Sequence, residues 1–212
     1  MRQIVEWSAG EDGIDTWAGE LWWVVTIDQD LQLNLHPLLA DRFSPFQFDP
    51  AGIIDDEKLG LLLEAARWAP SAGNSQPWGF LPVRPGEPDH ARVIRYLARS
   101  SAQWAPNAGL LIVNLTRRYV EDTDLVYSEF ADYDLGQAVA YLTVQAQAMG
   151  LTCHQFRAFD IEGLTAELRP NPGWVVMSMT AVGVAADRGQ QARWRRSVAE
   201  LRSDPWSEDR RP

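Results

Sequence analysis

The sequence has little of the residue types that carry thiol, metal or hydrolytic chemistry. Cys153 is the only cysteine, which excludes an intramolecular disulfide and a CxxC-type metal site. The three histidines are His36, His90 and His154, and none has a metal-ligand neighbour at i+3 or i+4. The G-x-S-x-G, Walker, G-x-G-x-x-G and H-E-x-x-H motifs are also missing. Zinc and nucleophilic hydrolytic chemistry are therefore not predicted, and no metal site is expected.

Positive charge is also scarce. The formal net charge is -10, the isoelectric point is about 4.7 and Lys58 is the only lysine. A protein that binds the phosphate backbone needs a basic surface, so no nucleic-acid partner is expected. Local arginines can still bind one anionic cofactor within an acidic protein. The apolar run Leu21 to Ile27 is too short to cross a membrane, and no targeting segment is recognised at the N-terminus. A cytoplasmic protein without a membrane partner is expected.

The composition is that of one ordinary globular domain, with 212 residues of which 46% are hydrophobic. The first 35 residues differ from the rest, because four tryptophans lie there among glycine, aspartate and glutamate. We therefore divide the chain into a Trp-rich N-terminal extension, residues 1–35, and a domain over residues 36–212. Whether the extension is poorly ordered or packs its tryptophans on another surface stays open.

Helical and strand patterns alternate from His36 onward. Asp55 or Asp56 can cap a helix whose apolar residues recur at helical spacing from Leu59 to Ala66, and Pro70 ends it. A second amphipathic helix is predicted around Val93, Ile94 and Leu97. Strands are predicted over Phe80–Val83, Leu110–Thr116 and Trp174–Ala185. The elements form no clean βαβ repeat, which predicts α+β or mixed α/β architecture in one domain.

The strongest helical pattern runs from Asp132 to Met149. Apolar residues form one stripe along it, and others extend the apolar character around the cylinder. Such a helix is buried on most sides, by the core or by a second subunit. Gly150 follows directly and is predicted to cap its C-terminus.

The most informative segment is R-W-A-P-S-A-G-N-S-Q-P-W, residues 67–78. It offers hydroxyl and amide groups, and its small residues Ala72 and Gly73 leave room for a flat ligand. Taken alone, it is also consistent with simple turn chemistry.

Three further segments accompany it in order: H-P-L-L-A-D-R-F-S-P-F-Q-F-D-P at 36–50, Y-D-L-G-Q-A-V-A-Y-L-T-V-Q-A-Q-A-M-G-L-T-C-H-Q-F-R-A-F-D at 133–160, and A-R-W-R-R-S-V-A-E-L at 192–201. With these four segments, the chain from about His36 to the C-terminus resembles the FMN-dependent nitroreductase family. The resemblance implies an α+β nitroreductase-like fold, with a mixed, mostly antiparallel sheet flanked by helices. It also implies a homodimer with C-terminal exchange, in which FMN passes hydride from NAD(P)H to a nitroaromatic, quinone or activated alkene.

The resemblance also implies a set of cofactor-binding residues and no catalytic side chain. Arg42 and Ser44 match the family's phosphate-binding segment, and the tail residues Arg193 and Arg195 match positions that reach the same phosphate. The remaining candidates border the flavin ring: Pro70, Ser71, Ala72, Asn74, Gln76, Gln137, His154, Gln155, Arg157 and Ala158.

The chain departs from the family pattern at three site positions, which lie in two segments. Phe46 stands where a second basic residue is usual, and Arg157 and Ala158 replace small, glycine-like positions. One alternative is therefore a nitroreductase-like protein with weakened or lost FMN binding that acts as a ligand-binding or assembly subunit. A second alternative uses the same fold for oxidation or flavin fragmentation. His154 also fits a structural, hydrogen-bonded role, and Cys153 fits a small core residue.

Overall fold

The computed structural model describes residues 35–187 and 194–202. These two stretches belong to separate compact units and are treated separately below. Residues 1–34, which make up nearly all of the predicted Trp-rich extension, lie outside the described residues. The proposed boundary at residue 35 stays a prediction.

A four-stranded antiparallel sheet organises the larger unit. Its strands are β1 (Trp78–Val83), β2 (Leu110–Arg117), β3 (Thr152–Phe156) and β4 (Trp174–Gly183), in the spatial order β1-β2-β4-β3. The α-helices of the unit are α1 (Pro37–Ala40), α2 (Asp56–Arg67), α3 (Pro88–Val93), α4 (Arg99–Ala102), α5 (Ala131–Ala148) and α6 (Ile161–Leu168). The α+β class and the antiparallel sheet are confirmed.

The sheet carries a hydrophobic core on each face. Alternate residues of β2 point to opposite sides, so Leu111 and Val113 join one cluster while Leu110 and Ile112 join the other. Helices α2 and α5 pack against the second cluster through Leu62 and Leu142, among other residues. The sheet thereby fixes α5, the helix that borders the candidate site.

Helix α2 begins and ends as its sequence predicts. The Asp55 carboxylate accepts the Lys58 backbone N–H at 2.8 Å and caps the first turn. The helix ends at Arg67, and Trp68 is its C-cap. Pro70 therefore lies in the loop that leads to β1.

Helix α5 buries one face and leaves the other exposed within the described unit. Its buried residues include Leu135, Ala138, Leu142 and Ala146, which belong to the predicted stripe. Gly150 adopts φ 74°, and the Leu151 N–H reaches the Ala146 carbonyl at 2.9 Å. This is the left-handed C-terminal cap that a glycine there predicts.

Three features differ from the sequence prediction. The helix predicted around Val93, Ile94 and Leu97 is broken, because Leu97 leaves the helical path and forms a bridge with Phe159. The last predicted strand stops at Gly183, while Ala185 pairs with Phe48 instead. Strand β3 and helix α6 were not predicted.

The smaller described stretch contains one short helix, α7 (Val198–Leu201), with Ser197 as its cap. Within residues 35–187 and 194–202, no helix is both long and apolar enough to cross a membrane.

Candidate functional site

An open cleft of about 330 Å³ lies beside α5 and contains two of the four predicted phosphate-binding residues, Arg42 and Ser44. It is lined by Leu39, Arg42, Ser44, Ala140, Thr143, Val144, Cys153 and Gln155. The Arg42 guanidinium donates to the Ser44 hydroxyl at 3.3 Å through Nη1. The structure therefore brings Arg42, Ser44 and Gln155 together in one cleft, with one side of the cleft supplied by α5. Their predicted contacts with the cofactor stay predictions.

His154 ties the Arg42–Ser44 segment to the sheet. Its Nδ1 lies 2.8 Å from the Pro45 carbonyl oxygen, and because a carbonyl only accepts, Nδ1 carries the proton. The ring stacks on Trp104 at 4.3 Å and meets the edge of Phe46 at 4.7 Å. This geometry supports the structural role for His154. Its predicted contact with the cofactor stays a prediction. Of the two ring nitrogens, only Nε2 is not used in the hydrogen bond to Pro45.

The loop after α2 is held in an unusual backbone shape. Gly73, Asn74 and Gln76 all have positive φ, at 58°, 57° and 48°, and a non-glycine residue adopts this region only rarely. The Ser71 hydroxyl accepts the Gln76 backbone N–H at 3.1 Å. The Gln76 side-chain amide donates to the Asn74 side-chain oxygen at 3.2 Å. The polar side chains of the loop thus support its own fold, while Ala72 and Gly73 are exposed.

A buried carboxylate anchors this loop to α5. Asp134 is 2% exposed, and its Oδ2 accepts the Ala72 backbone N–H at 3.0 Å. The predicted site residue Gln137 lies one turn further and points its amide at Asp134 Oδ1, at 3.5 Å. Asp134 was missed by the sequence interpretation, because its partner lies 62 residues away. An acidic residue in the first turn of a helix was the only local signal.

The loop and the cleft contact α5 at different positions along its axis. Asp134 contacts the loop and Thr143 lines the cleft, which at 1.5 Å per residue puts them roughly 14 Å apart along α5. Thr143 also accepts a hydrogen bond from the Gln155 amide at 3.0 Å. Helix α5 is thus the common support of the two groups of predicted residues.

The segment after β3 places its two candidates differently. The Ala158 carbonyl accepts both the Ala98 backbone N–H, at 3.0 Å, and the Ser101 hydroxyl, so that oxygen is committed inside the protein. The Arg157 side chain is exposed and donates to the Met177 carbonyl at 2.7 Å. The predicted flavin contacts of both residues stay predictions.

Arg193 and Arg195 are the two candidates of the C-terminal tail. Arg193 lies outside the described residues. Arg195 belongs to the smaller stretch, where its Nη1 donates to the Trp194 carbonyl at 2.8 Å. Both phosphate contacts stay predictions. No group of three or more metal-binding side chains occurs in the described part of the chain.

Cys153 lines the cleft as an inert core residue. It is 3% exposed, and burial raises the pKa of its thiol to about 12, an effect that the Thr143 hydroxyl and the Arg42 charge only partly oppose. The thiolate is the reactive form of cysteine. The small-core interpretation of Cys153 is supported.

Cys153 is therefore expected to resist alkylation in the folded protein. At pH 8 a thiol with a pKa near 12 is ionised about a thousandfold less than one at its usual value. Iodoacetamide labelling followed by mass spectrometry should show at least that slowing relative to the protein in denaturant. Equal rates in the two states would contradict the burial of the thiol.

A protein-family model and several solved structures match this chain. The protein-family model described as the nitroreductase family matches residues 39–109, a range that includes the Arg42–Ser44 segment and the loop after α2. The fold also matches that of an oxidoreductase containing FMN, at 28% identity, with a TM-score of 0.68 over 78% of this chain and 84% of that chain. A putative nitroreductase from Desulfovibrio desulfuricans in complex with FMN matches at 26% identity, with a TM-score of 0.66 over 82% of this chain and 99% of that chain.

Sequence comparison gives two relatives. The major NAD(P)H-flavin oxidoreductase of Aliivibrio fischeri is 39% identical over 51 residues, which is 23% of either chain. A putative NADH dehydrogenase/NAD(P)H nitroreductase of Rhodopseudomonas palustris (strain TIE-1) is 25% identical over 139 residues, or 57% of this chain and 70% of the relative. The match thus spans less than a quarter of the first relative's length. The resemblance to the nitroreductase family and the nitroreductase fold are confirmed.

Proposed function

We propose that this nitroreductase-like chain is an FMN-dependent oxidoreductase that takes electrons from NAD(P)H and passes them to a nitroaromatic, quinone or activated alkene. The observation that carries the proposal is the cleft beside α5, in which Arg42 and Ser44 lie together within the family-matched segment. The relatives that contain FMN or use NAD(P)H support the choice of cofactors.

The phosphate end of FMN fits the residues of the cleft. A guanidinium presents a planar fork of donors to two phosphate oxygens, and the Ser44 hydroxyl adds a third donor beside it. Arg42 is half-buried, so its attraction for an anion is screened less than that of an exposed arginine. Local charge can therefore hold a phosphate although the whole chain carries -10.

The ring end fits the loop after α2. Its exposed residues Ala72 and Gly73 are small, and the Asp134 anchor holds the loop backbone in place. The chemistry supplied by bound FMN is two-electron transfer from NAD(P)H to the acceptor, for which the protein provides binding and orientation. In this proposal no side chain of the protein takes part in the chemistry itself.

A homodimer is part of the proposal. The exposed face of α5 and its start carry large apolar side chains, with Phe130, Tyr133 and Tyr141 exposed by 55%, 67% and 44%. An exposed group of aromatic residues is typical of a protein interface. We propose that a second copy covers this face and that the C-terminal tail exchanges between the copies.

The first test is the visible spectrum of the purified protein during titration with FMN. We expect flavin absorbance to co-purify or to be restored by FMN, and we expect NAD(P)H oxidation in the presence of a quinone or nitroaromatic. Absence of flavin binding at any FMN concentration would contradict the proposal.

A second candidate function is a ligand-binding or assembly subunit with little or no FMN. Phe46 favours it, because its ring is 54% exposed and packs against Trp104 and His154 where the family usually has a cation. This candidate predicts a fold and dimer without flavin-dependent turnover. Rapid NAD(P)H oxidation with a quinone would exclude it.

A further inference from the structure

Arg157 presents a guanidinium whose charge no described residue neutralises. The side chain is exposed, and among the described residues its only hydrogen-bond partner is Met177: Nη1 donates to the backbone carbonyl at 2.7 Å and lies 4.0 Å from the sulfur. The neighbouring arginines differ, since Arg118 pairs with Asp132 at 2.6 Å and Arg117 lies 3.5 Å from Glu121. Among the ion pairs of the described residues, none includes Arg157.

Met177 lies at an irregularity of the sheet. The pairing of β2 with β4 passes from Asn114↔Ser178 to Leu115↔Val176, so Met177 is the extra residue of a β-bulge. Bulges re-aim a side chain and occur often beside active sites. Here the Met177 sulfur is 3.7 Å from Arg118 Nη2 as well as 4.0 Å from Arg157 Nη1. The bulge therefore brings two arginines to one sulfur.

This arginine pair lies at the same end of α5 as the loop of the proposed flavin site. Arg118 bonds to Asp132 in the first turn of α5, and Asp134 in the same turn holds the loop through Ala72. The Arg118–Asp132 pair is neutral as a whole, so the positive charge at this end comes from Arg157. A guanidinium has five N–H donors, and the contact with Met177 uses one.

We propose that Arg157 binds an oxyanion of the small molecule that exchanges electrons at this site. The ligand group is a carboxylate or a phosphate that accepts hydrogen bonds from the remaining guanidinium N–H groups. Arginine binds both kinds of oxyanion through two parallel N–H···O bonds. Two sources offer this group: a carboxylate on the electron acceptor, or the 2′-phosphate that distinguishes NADPH from NADH. This inference rests on the proposed function and narrows its substrates to molecules that carry such a group.

The test compares charged and uncharged substrates in matched variants. Arg157→Gln removes the charge but keeps a donor for the Met177 carbonyl, and Arg157→Lys keeps the charge without the fork. Arg99→Gln is the control, because Arg99 is also exposed and lies in α4. For each protein, kcat/KM is measured with 4-nitrobenzoate and nitrobenzene, and then with NADPH and NADH. Calorimetric titration with benzoate measures anion binding without turnover.

If the acceptor is the source, Arg157→Gln should lower the 4-nitrobenzoate to nitrobenzene ratio of kcat/KM by about tenfold and weaken benzoate similarly. Arg157→Lys should recover part of the loss, and Arg99→Gln should match the wild type. A fall confined to the NADPH to NADH ratio would support the inference with the dinucleotide as the source. Unchanged ratios and unchanged benzoate binding would overturn it. If the wild type showed no turnover but bound benzoate, and Arg157→Gln lost that binding, the proposed function would be contradicted and the anion site would be supported.

Discussion

Replacing Asp134 with alanine is expected to release the loop after α2 and to lower the free energy of unfolding by about 1–3 kcal/mol. The carboxylate is buried and accepts the Ala72 backbone N–H at 3.0 Å. Its removal takes away a hydrogen bond to a charged group, which contributes about this amount. The carboxylate also lies in the first turn of α5, where the helix dipole favours a negative charge. Removing it relieves some desolvation, but the bonds it makes outweigh that gain.

Two measurements separate loop release from general unfolding. Hydrogen exchange should show faster exchange at residues 71–76 while the amides of β2 stay protected, because β2 is central and buried. Denaturant unfolding gives the loss of stability itself. Asp134→Asn is the matched control, since its amide oxygen can still accept from Ala72, and it should retain most of the loop protection. Wild-type exchange in the loop of Asp134→Ala would show that Asp134 does not hold it.

The same variant tests the placement of the flavin ring. If the loop borders the ring, Asp134→Ala should weaken FMN and riboflavin by similar factors, because both carry the ring. Loss of FMN affinity alone would contradict this placement.

Local sequence signals predicted the elements whose causes are local. The Asp55 cap, the apolar stripe of α5 and Gly150 each act within a few residues, so their sequence was sufficient. Helix α6 also had such a signal, since Asp160 accepts the Gly163 N–H at 3.0 Å, but the helix has only eight residues. Short helices give too few turns for a periodic pattern to be recognised.

Features that depend on distant pairing could not be predicted in this way. Leu97 leaves its helix because it pairs with Phe159, and the Met177 bulge exists only in relation to β2. β3 has five residues at the edge of the sheet, and its sequence T-C-H-Q-F has no apolar alternation that would identify a strand.

The site shows the same division. The Arg42–Ser44 segment and the loop after α2 were identified by resemblance, which carries long-range information that periodicity lacks. The contacts that position these two segments were not identified from the sequence. Asp134 acts on Ala72 across 62 residues, and His154 acts on Pro45 across 109. The family resemblance identifies the residues proposed to contact the cofactor. The structure is needed to find the residues that position them, such as Asp134 and His154.

Replacing Arg42 with alanine is expected to weaken FMN about a hundredfold and to leave riboflavin affinity nearly unchanged. Arg42 lines the cleft with Ser44, and its fork can form two charge-assisted bonds to a phosphate, each contributing about 1.5–3 kcal/mol. Loss of one such bond alone corresponds to roughly one to two powers of ten in Kd. Riboflavin has the ring but no phosphate, so the ratio of the two dissociation constants isolates the contact.

Flavin fluorescence titration of both ligands provides the measurement, with two variants for comparison. Arg99→Ala removes an exposed arginine of α4 and should bind FMN as the wild type does. Ser44→Ala removes a neutral donor and should weaken FMN less than Arg42→Ala, because bonds to a charged donor are about twice as strong. Equal losses of FMN and riboflavin in Arg42→Ala would mean that the variant disturbs the cleft as a whole, and unchanged FMN affinity would remove Arg42 from the phosphate site. A ratio of the FMN Kd to the riboflavin Kd that rises in Arg42→Ala but not in Asp134→Ala would separate the two ends of the cofactor along α5.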